Sequence, residues 1–311
     1  MPRGLLGKIR TFVRRGAVHM DVVEQKLAAL EQNVADQSTA AGRQLDFVWR
    51  QLQLDIASWR LQELAMPRYE DPRHLNRFEH KVYSQDGGDG ILAEIFRRVG
   101  EGTRYFVEFG ISNGLECNST YLLTQRWSGL WIEGSAAHVA GVREAFAEPV
   151  ADSRLTVLES FVTAENIEDL LRDGGVPEEP SLLSIDIDGN DYWVWKAIAS
   201  YRPRVVEIEY NAMFPPDAKW VMEYNPEHVW GADSYAGASL RSMTDLAEAK
   251  GYRLVACSLA GVNAFYVRSD LIRPGAFTEP SSPAELYQPP RYHLVYEAAG
   301  NTRAYGRSVA E

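Results

Sequence analysis

Apolar residues fall at Met20, Val23, Leu27, Leu30 and Val34, in alternating steps of three and four. That is the seam of a heptad coiled coil. The seam lapses around Gln37 and Gly42 and resumes at Ala41, Leu45, Val48, Leu52, Ile56 and Trp59. The two steps of four around Leu52 resemble a stutter, which locally unwinds a supercoil. Gly42 weakens a helix relative to Ala. The pair Met66-Pro67 ends the segment, because the residue before a proline is pushed out of the α region. The pattern predicts a helical arm over residues 1–66. Such an arm either self-associates as an oligomerisation stalk or folds back onto the rest of the chain, and the length of the seam favours contact with a second copy. Residues 67–80 read as an irregular linker.

From residue 81 the period changes. Short apolar runs at Tyr105–Phe109, Gly129–Ile132, Leu155–Leu158, Leu182–Ile187 and Val205–Ile208 have the character of buried parallel strands. Tyr252–Cys257 and Val262–Val267 read as a final antiparallel pair. Helical stretches lie between and before them, at Ile91–Val99, Ser119–Gln125, Ala140–Ala147, Ala164–Arg172, Tyr192–Ile198 and Leu240–Lys250. This alternation predicts an α/β fold, a mostly parallel Rossmann-like sheet with helices on both faces, over residues 67–285. Residues 286–311 form a tail without an interpretable motif. In such a sheet, ligands bind beyond the carboxyl ends of the strands, where the strand order reverses.

The polar residues cluster at those strand ends. After the first strand, Glu108 precedes Gly110, Asn113, Gly114 and Asn118. The two glycines allow a tight turn and a close backbone approach to a ligand. The spacing departs from the G-x-G-x-x-G of dinucleotide sites. A carboxylate there repels pyrophosphate but suits the ammonium of an amino-acid-like ligand, which favours S-adenosylmethionine over NAD. After the second strand, Glu133, Gly134 and Ser135 occupy the place where an acid holds ribose hydroxyls. Phe161 follows the third strand, at the adenine edge. Ser84, Gln85 and Asp89 precede the first helix of the domain and either close over the cofactor or cap that helix.

After the fourth strand come Asp186, Asp188 and Asp191; after the fifth come Glu207, Glu209 and Asn211. Period-two alternation puts Asp186 with Asp188 on one side of their strand, and Glu207 with Glu209 on one side of theirs. Clustered carboxylates plus an amide oxygen are ligands for a hard cation such as Mg²⁺ or Mn²⁺. The alternative is that some hold substrate hydroxyls or act as base. The string Asp186-Ile-Asp-Gly-Asn-Asp is no EF-hand loop, since its twelfth position is Ala197. His228 stands in the loop after the fifth strand as a candidate general base, with Asp191 and Asp188 as rivals. Packing or surface exposure explains His228 equally well. Trp220, Tyr224, Trp230 and Tyr235 are either a sugar-stacking surface or core.

Composition narrows this further. At 45% hydrophobic and 24% charged, the 311 residues can fill a large core, which excludes wholesale disorder. A net charge of −11 excludes the whole molecule as an electrostatic nucleic-acid binder. Cys117 and Cys257 are the two cysteines, far apart, which fits a reducing cytoplasm and no disulfide scaffold. Arg3, Lys8, Arg10, Arg14 and Arg15 precede the first acid, Asp21, and interleave with apolar residues. This start is either a solvated helix end or a peripheral contact with an anionic membrane. It lacks the apolar run of a secretory signal, so a cytoplasmic location is expected.

Taken together, Tyr83-Ser-Gln-Asp-Gly-Gly-Asp-Gly90, Phe106-Val-Glu-Phe-Gly-Ile111, Asn113-Gly, Glu116-Cys-Asn-Ser119, Leu130-Trp-Ile-Glu-Gly-Ser135, Leu183-Ser-Ile-Asp-Ile-Asp-Gly-Asn-Asp-Tyr192, Val206-Glu-Ile-Glu-Tyr-Asn211 and Gly237-Ala-Ser-Leu240 resemble the FkbM-like branch of class I S-adenosylmethionine-dependent methyltransferases. The resemblance spans about residues 81–272. It implies a seven-stranded Rossmann-like sheet and methyl transfer to a hydroxyl, commonly of a sugar in a polysaccharide, glycolipid or glycosylated metabolite. Asp186, Asp188, Glu209 and Asn211 also resemble the metal positions of cation-dependent O-methyltransferases. A nucleotide-sugar oxidoreductase would share the sheet, but the missing G-x-G-x-x-G and Tyr-x-x-x-Lys count against it. A noncatalytic coiled-coil adaptor would keep the arm and lose cofactor affinity.

Overall fold

A computed structural model describes residues 42–296 and 303–306. The first seam, Met20 to Val34, and the basic start lie outside them. The described chain divides into two compact units between Trp59 and Arg60. A helix, α1, covers residues 42–64 and stops just before Met66-Pro67. The seam residues Leu45, Val48 and Leu52 are exposed on it, while Ile56 is buried. Phe47 and Leu54 are also exposed and lie on the opposite side at 3.6 residues per turn.

The second unit is built on one sheet of seven strands: β1 (Tyr105–Phe109), β2 (Ser128–Glu133), β3 (Leu155–Glu159), β4 (Leu182–Ile185), β5 (Val205–Glu209), β6 (Tyr252–Cys257) and β7 (Asn263–Arg268). Their order is β3-β2-β1-β4-β5-β7-β6. Five strands pair in parallel, and β7 runs antiparallel between β5 and β6. The Rossmann-like α/β reading therefore holds. The order reverses between β1 and β4, which opens a crevice at their carboxyl ends.

Alternate residues of β1 feed two cores. Val107 and Phe109 pack with Ile167, Leu171, Val194, Trp195, Leu240 and Met243, from α6 (Ile167–Asp173), α7 (Asp191–Ala197) and α8 (Leu240–Ala249). Phe106 packs with residues of α2 (Gly88–Val99), α3 (Thr120–Thr124) and α4 (Ala136–Ala145). Helices thus cover both faces, and the strands carry the near-continuous apolar runs that such burial requires.

The differences from the sequence reading have local causes. The fourth strand stops at Ile185 rather than Ile187, because Asp186 to Asn190 leave the sheet in a turn. The helix expected at Ala140–Ala147 starts at Ala136, with Ser135 as its cap: the Ser135 hydroxyl accepts the His138 N–H at 3.4 Å. It breaks at Phe146 before a short α5 (Ala147–Ala151). Residues 67–80, expected to be an irregular linker, contain two short 3-10 helices, Pro67–Tyr69 and Leu75–Phe78, and are packed rather than loosely connecting. Tyr69, Leu75 and Asn76 are buried, and the Asn76 amide donates to Glu79 and to the Cys257 carbonyl. Burial pushes the Glu79 carboxyl up to about 8, against the opposing pull of Arg60. Beyond α9 (Pro283–Leu286), Gln288 is fully buried and donates to the Tyr69 hydroxyl at 2.9 Å. Among the described residues, no helix is long and apolar enough to cross a membrane.

Candidate functional site

The chain leaves β1 through Gly110, whose φ of 74° favours glycine. A Cβ there would lie 1.7 Å from the Asp186 carbonyl oxygen, so Gly110 is what lets the ends of β1 and β4 approach. Gly114, at φ 75°, accepts no Cβ either, since the Phe146 ring would be 2.8 Å away. Glu108 is buried and anchors the helix after it. Its carboxylate accepts the N–H groups of Asn118 and Ser119, both at 2.9 Å, and the Ser119 hydroxyl. This is an acid on the free amides of a helix start, satisfying otherwise orphaned donors.

Two cavities open at this crevice and share Gly110, Ser112 and Asp186. The larger, about 560 Å³, is lined by Glu133, Gly134, Ser135, Phe161, Asp188, Asn190, His228 and Trp230, among others. Glu133 accepts the N–H of Ser112 at 2.9 Å and that of Ser135 at 2.8 Å, one on each oxygen. A carboxylate oxygen has two acceptor sites, so each keeps room for a ligand hydroxyl. Phe161 is 49% exposed and offers a ring face to the cavity. The smaller cavity, about 140 Å³, is lined by Gln85, Glu108, Asn113, Glu116, Asn118 and Asn263, among others.

Asp186, Asp188 and Glu209 each bring a carboxylate oxygen to within 4.8 Å of the others. Burial, and then the neighbouring carboxylates, push Asp186 and Glu209 well above the usual range. Without a positive charge among them, such groups repel one another. Asp188 sits at φ 55°. The turn that carries it is held from behind by Asp191, which is fully buried and accepts the Ile187 and Gly189 N–H groups, both at 2.9 Å. His228 lies over Gly189, where an added Cβ would fall 2.3 Å from its ring. Its Nε2 is buried and has no hydrogen-bond partner.

Comparisons with known proteins add little beyond this geometry. No family model matches the chain. No curated protein matches it either. Its solved structural neighbours include an O-methyltransferase from Bacillus cereus in complex with SAH, at 14% identity and TM-score 0.36, covering 70% of this chain and 89% of that one. A putative O-methyltransferase from Klebsiella pneumoniae is 18% identical at TM-score 0.35, covering 66% and 92%. A putative caffeoyl-CoA O-methyltransferase from Staphylococcus aureus is 12% identical at TM-score 0.38, covering 58% and 82%. These likenesses are distant, and the functional reading rests on the site itself.

The structure brings Gly110, Glu133, Gly134, Ser135, Phe161, Asp186, Asp188 and His228 to the larger cavity, and Gln85, Glu108, Asn113 and Asn118 to the smaller. It places six other candidates outside both linings, of which Glu209 belongs to the carboxylate trio. Ser84 and Asp89 are buried and staple their own loop, with Asp89 accepting the N–H groups of Val82, Tyr83 and Ser84 and the Ser84 hydroxyl. Gly114 packs in the core, and Asp191 lies behind its turn. The Asn211 amide donates to the Ser234 and Ala236 carbonyls, at 2.9 and 3.0 Å, and its oxygen accepts the Met213 N–H. That makes Asn211 a loop tether beside the carboxylate trio. Of the four aromatics, Trp230 alone lines the cavity. Trp220 stacks on Phe214 at 4.5 Å, and the Tyr224 hydroxyl donates to Glu165.

Sequence reasoning missed Ser112, Ser160, Glu116 and Asn263. Ser112 and Ser160 each follow a strand end and were findable by the rule that located Glu133. Asn263 begins β7, whose place beside β5 no local pattern announces.

Proposed function

We propose that the chain is an S-adenosylmethionine-dependent O-methyltransferase acting on a sugar hydroxyl of a polysaccharide, glycolipid or glycosylated metabolite. The observation that carries the reading is the pair of joined cavities at the β1/β4 crossover. One has the acid, glycine and exposed ring that suit a nucleoside; the other is acidic and amide-rich, and suits an amino-acid end. A divalent cation, Mg²⁺ or Mn²⁺, fits the trio of Asp186, Asp188 and Glu209, whose mutual repulsion it would relieve. When bound, such a cation polarises an acceptor oxygen and lowers the pKa of its hydroxyl.

The chain's own residues do the rest. Glu133 holds ribose hydroxyls, and Phe161 covers the base. Glu108 fixes the start of α3 and with it the floor of the smaller cavity. His228, which lines the larger cavity, is the base that receives the acceptor hydroxyl proton. The acceptor oxygen then forms its bond to the methyl carbon as the carbon–sulfur bond breaks, in line, with the sulfur keeping the electron pair. Holding both reactants in near-attack geometry is the larger part of such catalysis. Trp230, half exposed at the cavity mouth, offers a face for a sugar ring.

A labelled-methyl transfer screen across oligosaccharides of different linkage, with and without Mg²⁺ after chelation, tests this. Label should appear on carbohydrate, and His228→Asn should lower kcat by about 100- to 10,000-fold with cofactor affinity kept. Label reaching only non-carbohydrate acceptors would remove the sugar. Transfer undiminished by chelation would remove the cation.

A further inference from the structure

One wall of the larger cavity is a loop with no core of its own. Within residues 225–235 every residue is exposed except His228, which is half-buried. His228, Val229 and Trp230 nevertheless line the cavity. Segments with few buried contacts open at low free energy, so something besides burial must hold this one in place.

Asn190 supplies that hold. It stands just before α7, in the turn that carries Asp186 and Asp188, and is 3% exposed. Its Nδ2 donates to the Asn225 carbonyl at 2.7 Å, and its Oδ1 accepts the Asn225 N–H at 3.4 Å. One side-chain amide thus takes both backbone groups of a single residue, as a neighbouring strand would. The two bonds together fix which way the amide points. The same Asn225 carbonyl accepts the His228 N–H at 2.9 Å, closing a turn whose fourth residue is the histidine. The imidazole then falls over Gly189, the chain neighbour of Asn190, where an added Cβ would lie 2.3 Å from the ring. The far end of the loop returns to the same place, since the Gly237 N–H donates to the Gly189 carbonyl at 3.1 Å.

We propose that Asn190 is a positioning residue: by pairing with the Asn225 backbone, it seats His228 over the larger cavity. The use of that position in methyl transfer rests on the reading of His228 as base, whereas the seating itself does not. A base held in advance need not be ordered at each turnover. Asn190 also lines the cavity, so direct contact with a ligand is the rival role.

Two variants of the full chain separate these roles. Asn190→Ala removes both bonds. Asn190→Asp keeps the shape but sets a carboxylate oxygen against the Asn225 carbonyl. In both, amide hydrogen exchange over residues 225–235 should quicken by about 10- to 100-fold, the size of one or two lost hydrogen bonds, with exchange in β1 and β4 unchanged. The carbon-13 imidazole signal of His228, identified by its loss in His228→Asn, should shift toward that of free histidine, while the signals of the other histidines stay. S-adenosylhomocysteine should bind as before in calorimetry. An unmoved His228 signal would overturn the proposal. So would exchange quickened throughout the sheet, which would make Asn190 a general brace. Weakened S-adenosylhomocysteine with loop exchange unchanged would make Asn190 a ligand contact and overturn it as well. Failure of the unaltered chain to bind S-adenosylhomocysteine would instead remove the cofactor reading, with the seating of His228 still decided by exchange and by the imidazole signal.

Discussion

Glu207 sits in one row with Ser184 and Glu108 across β5, β4 and β1. It is fully buried, and neither of its oxygens has a partner. Burial, then Asp86 and Glu108, raise its carboxyl well above the usual range. In the unfolded chain this group ionises in the ordinary carboxylate range, while in the folded protein it keeps its proton to higher pH. Its contribution is therefore complete at acid pH and is lost as pH rises through the folded value, at up to about 1.4 kcal/mol per pH unit. Glu207→Gln has no proton to lose. Its melting temperature relative to the unaltered protein should rise between pH 5 and pH 8; a constant difference would contradict this. The alternation of β5 correctly put Glu207 and Glu209 on one side. Depth is what separates them, since the start of α2 covers Glu207 while Glu209 stands half-buried beside Asp186 and Asp188, and depth is a tertiary property. The same limit explains Asp89 and Asn211. A carboxylate or amide in a polar loop looks alike in sequence whether it faces a ligand or a backbone N–H.

At the scale of elements, the turn between β4 and α7 decides the trio. Asp191 gives one oxygen to each of two amides and so sets the directions of Asp186 and Asp188. Asp191→Ala leaves both amides without their acceptor, which costs about 1–3 kcal/mol for each buried group. The expected outcome is lower melting together with loss of Mn²⁺ binding, read by electron paramagnetic resonance. Asp191→Asn, whose amide has a single acceptor oxygen, should fall between. Full Mn²⁺ affinity in Asp191→Ala would deny Asp191 this positioning role. The strands themselves were legible to within two residues, because two-sided burial demands apolar runs. The antiparallel pairing of β6 and β7 was legible too. The insertion of β7 between β5 and β6 was not, since sheet order is set by contacts distant in sequence. That insertion is what brings Asn263 opposite Glu209.

For the whole molecule, the division at Trp59/Arg60 separates the helical arm from the unit that holds both cavities. The heptad seam of the sequence predicts a second copy as partner, while the exposed apolar residues of α1 fall on both of its sides. A chain lacking residues 1–59 should sediment as a monomer while the full chain does not, with cofactor affinity equal in the two. Equal sedimentation would leave the arm some other use. The tail tells the opposite story to the arm. It shows no motif in sequence, yet Arg303 meets Glu116 across 187 positions of the chain, which only the folded structure brings together. The central claim is that the joined cavities bind S-adenosylmethionine, and titration calorimetry of the full chain with S-adenosylhomocysteine tests it most directly. Saturable binding of one ligand per chain, abolished by Gly110→Ala, is the expected result. Absence of binding, or binding indifferent to Gly110→Ala, would contradict it.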